Sequence, residues 1–144
     1  MQKDLELMAV SVTSPYLKGK DLLIYSKCLP TEHPRVFEVV VEGKTALRVC
    51  MSEEHLDKVG FKIATIMAYA KPASVTILTM DGSPHCTQLH AVAEQAKRIA
   101  QADVNMRHLV IERGVLIEVS SQAVYLSRHL SKIEELLRAA KKSL

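Results

Sequence analysis

Hydrophobic residues fall in short blocks along this chain, and their spacing changes from block to block. Leu22-Leu23-Ile24-Tyr25, within residues 21–26, is an apolar run of strand length. Residues 75–80 form a second such run, β-branched and apolar, as expected of a strand covered on both faces. Between them, Leu56, Val59, Ile63, Ile66, Met67 and Ala70 recur at helical spacing. Ser52 is the expected N-cap of that helix, Glu53 and Glu54 suit its first turn, and Lys71-Pro72 should stop it. Another helix is predicted over residues 87–102, with a stripe of Leu89, Ala93, Ala96, Ile99 and Ala100. Residues 36–41 and 45–50 predict a hairpin around Glu42-Gly43-Lys44; residues 105–111 and 115–119 predict a second, turned by Glu112-Arg113-Gly114. Ser120 or Ser121 should cap a long last helix with Leu126, Leu130, Ile133, Leu137 and Ala140 on one face. Residues 1–13 fit a short amphipathic helix or a strand equally well.

This alternation predicts an α/β fold: one domain over residues 1–144, in two or three layers, with a mixed sheet, a βαβ unit, two hairpins and a long C-terminal helix. Residues 1–15 read as a loosely attached N-terminal segment. The length of 144 residues suits one domain with a real core. Hydrophobic residues make up 48% of the chain but aromatic ones only 4%, so the core must be aliphatic. No apolar run approaches the roughly 20 residues of a membrane helix, and the first residues lack the apolar stretch of a signal peptide. Three cysteines without scaffold-like spacing predict reduced thiols and a cytoplasmic address. A net charge of +3, scattered basic residues and few stacking aromatics argue against nucleic acid as a partner.

The stretch that concentrates chemistry is Asp81-Gly82-Ser83-Pro84-His85-Cys86, between the strand at Val75 and the helix that follows. A strand-to-helix loop of this kind is where open α/β sheets place ligands. Residues 45–50, the helix after them and the strand at Val75 form a βαβ unit, which should be parallel and right-handed. Cys50 and Asp81 then end at one sheet edge, about 4.8 Å apart if their strands are neighbours and about 10 Å if another strand intervenes. The first hairpin would bring His33 to the same edge, Cys28 follows its own strand there, and Arg113 points to it from the second hairpin turn.

Three chemistries suit that rim. Cys28, Cys50 and Cys86, with His33, His85 or His90 as a further ligand, offer the thiolates and imidazoles that zinc and iron–sulfur clusters prefer. Cys86 at a helix N-terminus, with His85 or His90 as proton carrier, suits a nucleophile or sulfur carrier. Asp81, Gly82, Ser83 and Arg113 form a non-catalytic anion site in the third reading, without a Walker or dinucleotide motif. His108 and His129 read as structural. The metal reading leads, for redox or sulfur chemistry; it implies a redox partner protein and admits a homo-oligomer.

The string from Met80 to His90, with Cys28, His33-Pro34, Leu47-Arg48-Val49-Cys50 and Arg128-His129-Leu130, resembles an uncharacterised family of small proteins from archaea and anaerobic bacteria. Some of its members carry an iron–sulfur or ferredoxin-type label. The resemblance therefore implies a cluster-binding role.

Overall fold

The computed structural model describes residues 3–143. Its strands are β1 (Asp4–Glu6), β2 (Asp21–Ser26), β3 (Thr45–Val49), β4 (Ser74–Met80), β5 (Asn105–Glu112) and β6 (Val115–Val119). Its helices are α1 (Leu29–Glu32), α2 (Pro34–Val41), α3 (Leu56–Ala70), α4 (Pro84–Ala100), α5 (Ser121–Leu126) and α6 (Leu130–Ser143). One sheet holds the strands in the order β1-β3-β2-β4-β5-β6. The first five are parallel, and β6 pairs antiparallel to β5 through the hairpin at Arg113-Gly114.

Alternation along the strands sorts side chains between two faces. Leu22, Ile24, Val75 and Ile77 face α3 and α4, and with Leu47, Ile63, Ile66 and Leu89 they make the larger core. Leu23, Tyr25, Leu78, Leu109 and Ile111 point the other way, onto Leu29, Val40 and Val41. The result is three layers, with α1 and α2 on one face of the sheet and α3 and α4 on the other. Burial on both faces explains why β2 and β4 read as continuous apolar runs.

Four expectations are corrected. Residues 36–41 are not the first arm of a hairpin: they belong to α2, and β3 runs parallel to β2. Pro34 suits the first helical position, and Val36, Phe37, Val40 and Val41 share one helical face against Tyr25 and Leu78. That burial outweighs the β preference of the valines. Ser52 does not cap α3; His55 holds that position, after a turn in which Cys50 C=O accepts from the amides of Glu53 and Glu54. The helix after β4 starts at Pro84 rather than residue 87, with Ser83 as its N-cap. The C-terminal helical stretch divides into α5 and α6 around Ser127-Arg128-His129. Met1 and Gln2 lie outside the described residues; from Asp4, β1 adds an edge strand beside β3, and Leu7 is fully buried.

α3 ends on Lys71 at φ +46°, a left-handed position that side chains with a Cβ pay to occupy. Lys71→Gly is expected to stabilise the fold by about 0.5–1 kcal/mol, seen as a higher urea midpoint at unchanged slope.

Candidate functional site

In this sheet the chain leaves β2 toward β3 on one side, then crosses back to β4 and continues to β5 on the other. The two directions part between the C-terminal ends of β2 and β4, and such a parting opens a crevice outside the strand ends. A cleft of about 150 Å³ lies there. Ser26, Lys27 and Cys28 enter it from the end of β2, and Cys50, Met51 and Ser52 from the end of β3. Met80, Ser83, His85 and Cys86 enter from β4 and the start of α4. Three thiols more than twenty residues apart in sequence thus border one small space. β2 lies between β3 and β4, so the wider of the two expected separations applies.

Local structure fixes each thiol. Cys28 is the N-cap residue of α1, and its carbonyl accepts from Thr31 and Glu32. Cys50 ends β3, with its Sγ 2.9 Å from Ser52 Oγ. Cys86 lies in the first turn of α4: its amide donates to Ser83 Oγ at 3.3 Å, and its Sγ is 3.2 Å from Ser26 Oγ. Cys28 is exposed, Cys50 half-buried and Cys86 buried, and none forms a disulfide. Desolvation pushes the Cys28 thiol up from its ordinary range, and the nearby charges of Cys86 and Cys50 push the same way. Lys27, on the cleft wall, is held by Glu6 at 3.6 Å and Glu53 at 3.7 Å.

The other residues singled out by sequence are placed differently. His85 borders the cleft with the thiols. His33 sits at the junction of α1 and α2, outside the cleft lining. His90 turns away from the cleft: its ring is buried between Thr79 and His108. Of the anion-binding set, Ser83 borders the thiol cleft, whereas Asp81 borders a separate cavity beneath α5. Gly82 takes φ +86° between them, which suits glycine in a tight strand-to-helix turn. Arg113 is at the expected sheet edge but borders neither space, and pairs with Glu112 at 3.4 Å. Among the described residues, no three His, Cys, Asp or Glu side chains stand close enough to hold a single metal ion.

Sequence reasoning missed Ser26, Lys27 and Ser52, which become neighbours only through strand order. It also missed the partnership of His90 with His108 and Glu94. His90 and Glu94 do share a helical face at i, i+4, and that spacing was the available signal.

Among the described residues, no helix is long and apolar enough to cross a membrane. A family model described as a Rossmann-like domain matches residues 14–143. Neither a curated protein nor a solved structure matches the chain. The matched stretch contains β2 through α6 and every residue of the thiol cleft, and the chain belongs to this family of Rossmann-like domains.

Proposed function

We propose that the cleft between the ends of β2 and β4 binds an iron–sulfur cluster through Cys28, Cys50 and Cys86, for redox or sulfur chemistry. The observation that carries the reading is the shared border: three free thiols from three separate loops around one space of about 150 Å³. Thiolates brought together repel, and burial adds to that cost, as the raised Cys28 thiol reflects. A cationic centre removes the penalty by taking the thiolates as ligands and releasing their protons. A polynuclear cluster holds its cysteines farther apart than one ion does, which suits thiols that border a common space without closing on a point. The first-turn amides of α4 add positive partial charge on the same side. His85 is the nearest candidate for a fourth ligand.

The test is anaerobic reconstitution with ferrous iron and sulfide, followed by iron and sulfide analysis and a visible spectrum. The wild-type chain is expected to retain both elements and develop a broad visible band. Cys28→Ser, Cys50→Ser and Cys86→Ser should each weaken retention by about tenfold or more, since even outer-shell changes at metal sites cost that much. Zinc bound in preference to iron, by the same three thiols, would make the site structural rather than redox. A chain without either metal, whose thiols alkylate equally fast before and after reconstitution, overturns the proposal. Selective fast alkylation of Cys86 in that chain would favour the nucleophile reading, which rests on the position of Cys86 in the first turn of α4.

A further inference from the structure

A buried polar chain runs through α4 and β5, outside the thiol cleft. Thr79 Oγ1 stands 2.7 Å from His90 Nε2, and His90 Nδ1 stands 2.9 Å from His108 Nδ1. His108 Nε2 lies 2.7 Å from Glu94 Oε1, and Ser121 donates to the same oxygen at 2.8 Å. Thr79, His90 and His108 are only 1%, 4% and 1% exposed. Strand register explains the assembly: Ile77 pairs with His108 and Thr79 with Val110, so all four project toward α4.

Hydrogen-bond direction follows from what each group can donate. A carboxylate only accepts, so the proton on His108 sits on Nε2. With both rings neutral, His108 Nδ1 accepts from His90 Nδ1–H, and His90 Nε2 accepts from the Thr79 hydroxyl. Burial, reinforced by the neighbouring His108, lowers the His90 pKa to about 3, so this ring is neutral near pH 7. Burial alone would raise Glu94, but its bonds from Ser121 and His108 prevail, and its carboxyl titrates below the usual range. Hydroxyl, imidazole, imidazole and carboxylate therefore stand in an order that draws a proton away from Thr79.

The inner end of this chain borders a cavity of about 180 Å³. Thr79, Asp81, Thr87, His90 and Ser127 form its polar side, and three valines stand on its apolar side. Dry cavities of this order of size admit molecules as large as benzene. Thr87 and Ser127 donate their hydroxyls to the carbonyls of Ser83 and Val124, which leaves Thr79 as the hydroxyl paired with a base, and the apolar wall beside it suits a short acyl group.

We propose that this cavity is an acyl-transfer site for small esters, with Thr79 as nucleophile and His90 as its base. The Thr79 Oγ1–acyl bond forms while the hydroxyl proton moves to His90 Nε2 and His90 passes its Nδ1 proton to His108 Nδ1. The ester C–O bond breaks, the leaving alcohol takes the Nε2 proton from His90, and His108 returns the Nδ1 proton to His90. Water then hydrolyses the acyl-Thr79 ester by the same proton path and restores the hydroxyl. His108 and Glu94 are positioning residues, which fix the His90 tautomer, and the transient positive charge rests on His108 beside the Glu94 carboxylate at 2.7 Å. No thiol takes part, so this proposal stands or falls separately from the cluster.

The probe is p-nitrophenyl acetate, with acid quenching and peptide mass mapping to locate the acetyl group. Acetylation is expected on the peptide carrying Thr79, absent in Thr79→Val and slowed about a hundredfold in His90→Gln. Glu94→Gln, at the solvent end of the relay, should slow it in the same direction and serves if His90→Gln fails to fold. Acetyl groups confined to cysteines and lysines overturn the proposal. So does Thr79 acetylation at an unchanged rate in His90→Gln or Glu94→Gln.

Discussion

Acidification from pH 6.5 to about pH 4.5 is expected to cost this fold roughly 2 kcal/mol through His90 alone. The sign follows from linkage. In the unfolded chain His90 titrates near its ordinary 6.5, whereas in the native protein burial and His108 lower it to about 3. Between those values the unfolded state binds a proton that the native state refuses, so stability falls as the pH falls. A full proton difference amounts to about 1.4 kcal/mol per pH unit, and a largely buried ring realises much of it. Above pH 6.5 the penalty vanishes. Urea midpoints measured at intervals across this window check the slope. His90→Leu should unfold more readily at pH 7, because Thr79 and His108 each lose a buried partner, at a cost of about 1–3 kcal/mol. Its stability should nevertheless depend less on pH over the same range. Equal slopes in the two proteins would mean that His90 is charged in the native state. The lowered carboxyl of Glu94 adds a loss of the same sign at more acidic pH, which is why the comparison stops at 4.5.

The parts of the fold that were legible in the sequence are those where one force dominates. β2 and β4 are buried on both faces, so their apolar runs needed no partner to be recognised. The hairpin of β5 and β6 announces itself through Arg113-Gly114, and Gly114 takes φ +76° there. α2 was hidden because valine-rich sequence favours strands locally, while the fold needed an apolar helical face over Tyr25 and Leu78. Connectivity predicted a common edge for Cys28, Cys50 and Cys86, although the hairpin invoked to bring His33 there does not form. The placement of His33 and Arg113 outside the cleft depends on loop paths and strand order, which no local pattern encodes. The relay was less visible still. His90 meets His108 only because parallel register sets Ile77 beside His108 under the second turn of α4.

Replacing Gly60 by leucine is expected to destabilise the protein by about 2–4 kcal/mol and to disturb the cleft and the relay together. Gly60 is buried in α3 where that helix meets α4, and a Cβ built on it would come within 2.8 Å of Val92 Cγ2. Val92 is itself buried, and a β-branched side chain in a helix has essentially one comfortable χ1, so it cannot rotate away. Leucine adds three further carbons behind that first clash, and the two helices must part to admit them. Gly60→Ala is the informative control: it meets the same Val92 contact at 2.8 Å, and a helix-propensity gain of about 1 kcal/mol offsets part of that cost, so it should destabilise less than leucine. Val92→Ala should restore part of the loss in Gly60→Leu, giving a favourable coupling energy for a pair in direct contact. The effect reaches function because α4 carries Cys86 in its first turn and His90 in its second. Alkylation of buried Cys86 should therefore accelerate in Gly60→Leu under conditions where the chain is still folded, while exposed Cys28 reacts at its former rate. A Gly60→Leu protein as stable as wild type, with Cys86 still shielded, would mean that α3 and α4 are not in close contact at Gly60.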